Sequence, residues 1–96
     1  MKKVIPTLFP PPLVESIAAF GSAVRAARTK SGLSIQDAAL MCGVSKQTLQ
    51  NLELGSKSVS FNTALQVAQS MGVSLFVIPT EKQSIVNRML LPILET

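Results

Sequence analysis

From residue 13 onward the apolar positions recur at three- and four-residue intervals, the rhythm of helices that bury one face. Steps of about 100° per residue put Leu13, Ile17, Phe20, Val24 and Ala27 on one stripe, which predicts a first helix over 13–31 that begins behind Pro12 and stops at Ser31-Gly32. Ser34, followed three residues later by Asp37, is a capping-box pattern that opens a second helix, 35–41, broken by Cys42-Gly43-Val44. Ser45 caps a third helix with Leu49 and Leu52 facing inward and Gly55 at its end. Ser60 caps a fourth, 61–71, with Phe61, Ala64, Leu65, Ala68 and Met71 along one face. The rhythm then changes. Residues 73–79 read Val-Ser-Leu-Phe-Val-Ile-Pro, a β-branched and aromatic run stopped by proline, and predict a strand. Thr80 and Gln83 repeat the capping pattern and begin a last helix, 81–91, ahead of Pro92.

These elements divide the chain into four parts: an extended arm over 1–12, a helical domain over 13–72, the strand over 73–79 and an apolar helix or tail over 80–96. The arm is extended because its four prolines fix φ and lack amide donors. The second and third helices are short, are joined by about three residues with a glycine in the turn, and meet through the small side chains of Ala38, Ala39 and Cys42, which is the helix-turn-helix unit. The expected fold is therefore all-α, with four to five helices. A lone strand leaves its backbone unpaired, so Leu75, Phe76, Val77 and Ile78 are expected to pair with the same strand of a second subunit in a symmetric dimer. Ile85, Val86, Met89 and Leu90 are too apolar for a free tail and are candidates for covering the domain, extending the dimer or docking in a partner's groove.

Composition narrows the chemistry. The chain has 96 residues, no His, Trp or Tyr, and a single cysteine, Cys42, so it has no Cys-His nucleophile, no structural zinc site and no internal disulfide. The five carboxylates are scattered outside any metal-loop spacing, so neither an enzyme nor a cofactor nor a metal is expected. A net charge of +4 suits a polyanion such as DNA, and an apolar fraction of 47% is high enough for a small chain that a partner interface is expected. An unpaired thiol with no export signal and no membrane-length apolar run places the protein in a reducing cytoplasm.

Two charged residues fall where apolar ones belong. Arg28 lies in the middle of the first helix's apolar stripe, where an unpaired guanidinium costs several kcal/mol, and Glu53 shares the inward side of the third helix with Leu49 and Leu52. Their bidentate pairing would hold the third helix against the first. The opposite side of the third helix carries Lys46, Gln47, Thr48, Gln50 and Asn51, side chains able to read base edges, with Ser45 at a helix N-terminus that favours phosphate. Gln36, Lys57 and Asn62 are placed to reach the DNA backbone from the rim. Leu54, also outward, could touch a thymine methyl or a neighbouring subunit.

The string Val24-Arg25-Ala26-Ala27-Arg28, Ser31-Gly32-Leu33-Ser34, Ala38-Ala39, Cys42-Gly43-Val44-Ser45, Leu49, Leu52-Glu53-Leu54-Gly55, Ala68 and Met71-Gly72-Val73 resembles the Xre/Cro-repressor-like helix-turn-helix family, whose fold is that of lambda repressor. The resemblance implies a dimeric DNA-binding domain, with Arg28 and Glu53 at the family's structural ion pair and Lys46, Gln47, Gln50 and Asn51 at positions that commonly touch bases. In one departure, the family often has glutamine directly after the N-cap of the second helix, where this chain has Ile35 beside Gln36. The proline-led first helix and the 75–78 run look like the HipB branch. That likeness implies an antitoxin that represses its own operon at a palindromic operator and binds a kinase-type toxin of the HipA class. A free-standing Xre regulator and a protein-interaction module without DNA binding are the alternatives.

Overall fold

The structure is a computed structural model that describes residues 3–94; Met1 and Lys2 of the expected arm and Glu95 and Thr96 of the expected tail lie outside the described residues. Five α-helices follow one another: α1 (Ile17–Lys30), α2 (Ile35–Cys42), α3 (Lys46–Glu53), α4 (Phe61–Ser70) and α5 (Gln83–Leu94), the last preceded by a 3-10 turn at Thr80–Lys82. Serine hydroxyls start four of them. The amides of Ala19, Asp37, Thr48 and Thr63 donate to the hydroxyls of Ser16, Ser34, Ser45 and Ser60 at 3.0, 3.1, 3.0 and 3.1 Å. Gly43 ends α2 at φ 72°, the left-handed region that a side chain resists.

α3 packs against α1 on one side and α2 on the other, and α4 closes on α2. The core they enclose is small and dense. Leu49, Leu52, Val24 and Val67 are its largest fully buried side chains, and Ala38, Ala39, Ala64 and Ala68 keep the helices close. Gly21 brings α1 and α3 nearer still: a Cβ there would collide with the carbonyl oxygen of Leu52 and lie 2.8 Å from that of Glu53. The Gln66 side-chain amide of α4 donates at 2.8 Å to the carbonyl of Cys42, satisfying an orphan group at the end of α2.

Four expectations need correction. No strand is present among the described residues, and 73–79 runs as irregular chain. Leu75, Phe76, Val77 and Ile78 therefore form no dimer strand. Residues 9–14 share a cavity wall with residues 73–76 and 78, but Pro10, Pro11 and Pro12 offer no amide hydrogens, so no ladder forms there. The first helix begins after Ser16 rather than at Leu13, because that serine supplies a hydroxyl cap and residue 12 cannot. Thr80 makes no side-chain cap; it lies within the 3-10 turn, where the Lys82 amide donates to the Pro79 carbonyl at 2.9 Å. The last helix passes through Pro92 to Leu94; the proline stands in the final turn, where its missing amide and the clash of its ring with the preceding turn disturb only the helix end.

α4 keeps Ala64, Ala68 and Met71 of its expected face against the core. Ala64, Val67 and Ala68 point inward, whereas Phe61 is 73% exposed. On the far side of α1 the arm is fastened at one point. The Thr7 amide donates at 3.0 Å to the Thr29 hydroxyl, which itself donates to the Arg25 carbonyl at 2.9 Å. Thr29 is buried there, beside the fully buried Ala26.

Candidate nucleic-acid interface

The outward face of α3 is positioned by what its inward face does. Leu49 and Leu52 are wholly buried, and Glu53, one residue on, accepts from Arg28 Nε at 2.6 Å through Oε2 and from Nη2 at 2.9 Å through Oε1. A third guanidinium nitrogen, Nη1, donates at 3.0 Å to the carbonyl of Leu33 in the turn before α2. The two side chains are only 11% and 6% exposed. One guanidinium thus ties α1, the turn before α2 and the end of α3 together, and its planar fork fixes their angles.

With that side anchored, Lys46 and Gln47 stand exposed at the start of α3, and Thr48, Gln50 and Asn51 are half-buried beside them. Gln47 Nε2 donates to Asn51 Oδ1 at 3.0 Å, one helical turn away. This bond holds the two side-chain amides together on one face of the helix. Side-chain amides of Asn and Gln are the groups that pair bidentately with the N6 and N7 edge of adenine in a major groove.

Ser45 is committed locally: it accepts from the Thr48 amide and donates to Thr48 Oγ1 at 2.8 Å. What the helix start offers an anion is therefore its remaining backbone amides and its dipole rather than the Ser45 hydroxyl. Gln36, Lys57 and Asn62 are all exposed, at the second residue of α2, in the α3–α4 loop and at the second residue of α4. The loop holding Lys57 is braced by the Ser58 amide, which donates to Ser56 Oγ at 3.3 Å. Leu54 projects from the end of α3, 78% exposed.

The other expected residues part company. On α5, Ile85 and Met89 are exposed at 50% and 67%, while Val86 and Leu90 are half-buried on its inner side. In the 73–79 segment Phe76 and Val77 are exposed and Ile78 turns partly inward. Cys42 is buried in the core; desolvation pushes its thiol above the ordinary range, and a hydrogen bond with the Ser70 side chain offsets part of that rise. Sequence reasoning did not find the Leu33 carbonyl as a third partner of Arg28, the Gln66 tie or the Thr29 clasp. Gly21, a glycine within an alanine-rich helix, was a legible sign of close helix approach.

Among the described residues there is no group of three or more His, Cys, Asp or Glu that could hold a metal ion, and no helix is long and apolar enough to cross a membrane. A helix-turn-helix family matches residues 24–78. Among solved structures, one chain of a HipA-HipB-O2-O3 complex is 20% identical with a TM-score of 0.64, the match covering 71% of this chain and 96% of that one. A structure described as MDT Protein is 19% identical with the same TM-score and coverage. At these identities the likeness is one of fold. No curated protein matches the chain.

Proposed function

The chain belongs to the helix-turn-helix family, whose match spans more than half its length, and from that premise we propose that it is a sequence-specific DNA-binding repressor of the Xre/Cro type, acting as a HipB-like antitoxin that represses its own operon. The observation that carries this reading is the aligned Gln47–Asn51 amide pair on the second helix of the unit, flanked by exposed Lys46. In the proposed complex α3 lies in the major groove. Lys46, Gln47, Thr48, Gln50 and Asn51 read base edges, and Gln36, Lys57, Asn62 and the helix start at Ser45 hold phosphates.

Two copies would read a palindromic operator, one half-site each. The likeness in fold to a chain from a complex containing HipA and HipB supports the antitoxin role. In that role Ile85 and Met89, on the open side of α5, face the toxin. Anisotropy titrations with DNA from directly upstream of the reading frame, against a scrambled duplex at two salt concentrations, test the reading. Tighter, salt-sensitive binding to the upstream DNA is expected, and equal binding to both duplexes would remove operator recognition. Gln47→Ala should cost about 1–3 kcal/mol at the base it reads while leaving nonspecific binding and its salt slope unchanged.

A further inference from the structure

Behind α1, on the side away from the helix-turn-helix core, lies a chamber of about 710 Å³. Three segments wall it: the arm over 9–14, the irregular run 73–78 and the inner side of α5, with Phe20 and Ala23 of α1 at its floor. Its volume falls within the range of roughly 300–1,000 Å³ usual for small-molecule sites. The walls are overwhelmingly apolar, with Phe9, Leu13, Leu75 and Leu90 among them. Among the described residues one charged side chain lines the chamber, that of Lys30 at the end of α1, which is exposed at its rim and makes no hydrogen bond or ion pair there.

An apolar chamber with a single unpaired cation is complementary to one kind of molecule. We propose that this chamber is a binding site for an amphiphilic organic anion, with its aliphatic chain between the arm and α5 and its carboxylate at Lys30 Nζ. The chain buries hydrocarbon that water would otherwise face, and the ammonium supplies a charge-assisted bond that an uncharged or cationic amphiphile cannot make. One wall is loosely packed and one is fixed: no residue of α5 is buried, whereas the arm is pinned through Thr7 to Thr29, the residue next to Lys30.

The test uses the full chain and three probes below their micelle concentrations: dodecanoate, dodecanol and dodecyltrimethylammonium. Two-dimensional amide NMR should show dodecanoate shifting residues 9–14, 73–78 and 86–94 while the α3 resonances stay in place. Calorimetry should rank dodecanoate above dodecanol and dodecyltrimethylammonium last. Lys30→Gln should weaken dodecanoate roughly five- to tenfold and leave dodecanol unchanged. Equal affinity for the cationic and anionic probes, or an unchanged dodecanoate affinity in Lys30→Gln, would overturn the assignment of Lys30. An absence of shifts with every probe would overturn the site itself, and intermolecular nuclear Overhauser contacts to Leu90 would then identify a second copy of the chain as the occupant.

Discussion

The largest fully buried side chains, Leu49, Leu52, Val24 and Val67, lie in α1, α3 and α4, whereas α5, twelve residues long and rich in Ile, Val, Met and Leu, buries none. The difference is not one of hydrophobicity. It lies in what each region has to pack against: the bundle has small residues and a helical glycine that let backbones approach, while α5 faces an irregular segment and an arm whose prolines hold the chain open. Polar groups follow the same division. In the bundle the guanidinium of Arg28 makes three hydrogen bonds, two to Glu53 and one to the Leu33 carbonyl, while the arm is held to α1 through the Thr7–Thr29 contact. Apolar content alone does not make a core; a core also needs a surface shaped to receive it.

The strongest way to break this contrast is through the ion pair. Arg28→Ala leaves Glu53 buried without a partner and should cost about 3–5 kcal/mol, read as a drop in the denaturation midpoint. Arg28→Met with Glu53→Met should recover much of that loss, because the desolvation cost disappears along with the attraction. A single variant as stable as the parent would show that the pair does not hold α3 to α1. The same truncation made in each region gives the next largest effect. Leu49→Ala should cost about 2–5 kcal/mol and Leu90→Ala less than about 1 kcal/mol, since a half-buried side chain leaves little cavity behind. Equal costs would mean that α5 belongs to the core.

Truncation after Pro79 should lower stability by about 1 kcal/mol or less and leave operator affinity within roughly twofold, while weakening capture of a HipA-class toxin. Anisotropy and thermal melts of the same protein check both parts. The smallest effect is alkaline. The Cys42 thiol is pushed up in the folded state, so the folded chain holds its proton where the unfolded chain releases it, and stability is complete below the unfolded pKa and falls as pH rises above it. Cys42→Ala should flatten the decline in melting temperature above about pH 9, and an unchanged slope would mean that the thiol is not desolvated.

The helix starts at Ser34, Ser45 and Ser60 can be read from sequence because a cap is a local bond, spanning three residues and independent of the rest of the fold. Arg28 and Glu53 stand out for a related reason: each interrupts an apolar stripe, a charge so placed requires a partner, and the structure joins them. The alignment of Gln47 with Asn51 also follows from helical spacing. Composition by itself excludes a Cys-His nucleophile, a structural zinc site and an internal disulfide.

What tertiary structure decided lies at the edges of these local rules. Whether 73–79 becomes a strand depends on a partner's backbone donors, and Pro10, Pro11 and Pro12 of the neighbouring arm have none to give. Phe61 fits the apolar side of α4 by periodicity, but the helix buries Ala64, Val67 and Ala68 and leaves the ring in solvent. The arm's attachment is similar: nothing in residues 3–12 names Thr29 as the anchor, because a contact across 22 residues is set by where the chain returns and not by its local pattern. Helices, their caps and the need of two misplaced charges for a partner were written into short stretches of sequence. The loosely packed layer behind α1, and the chamber it encloses, depend on how those stretches meet in space.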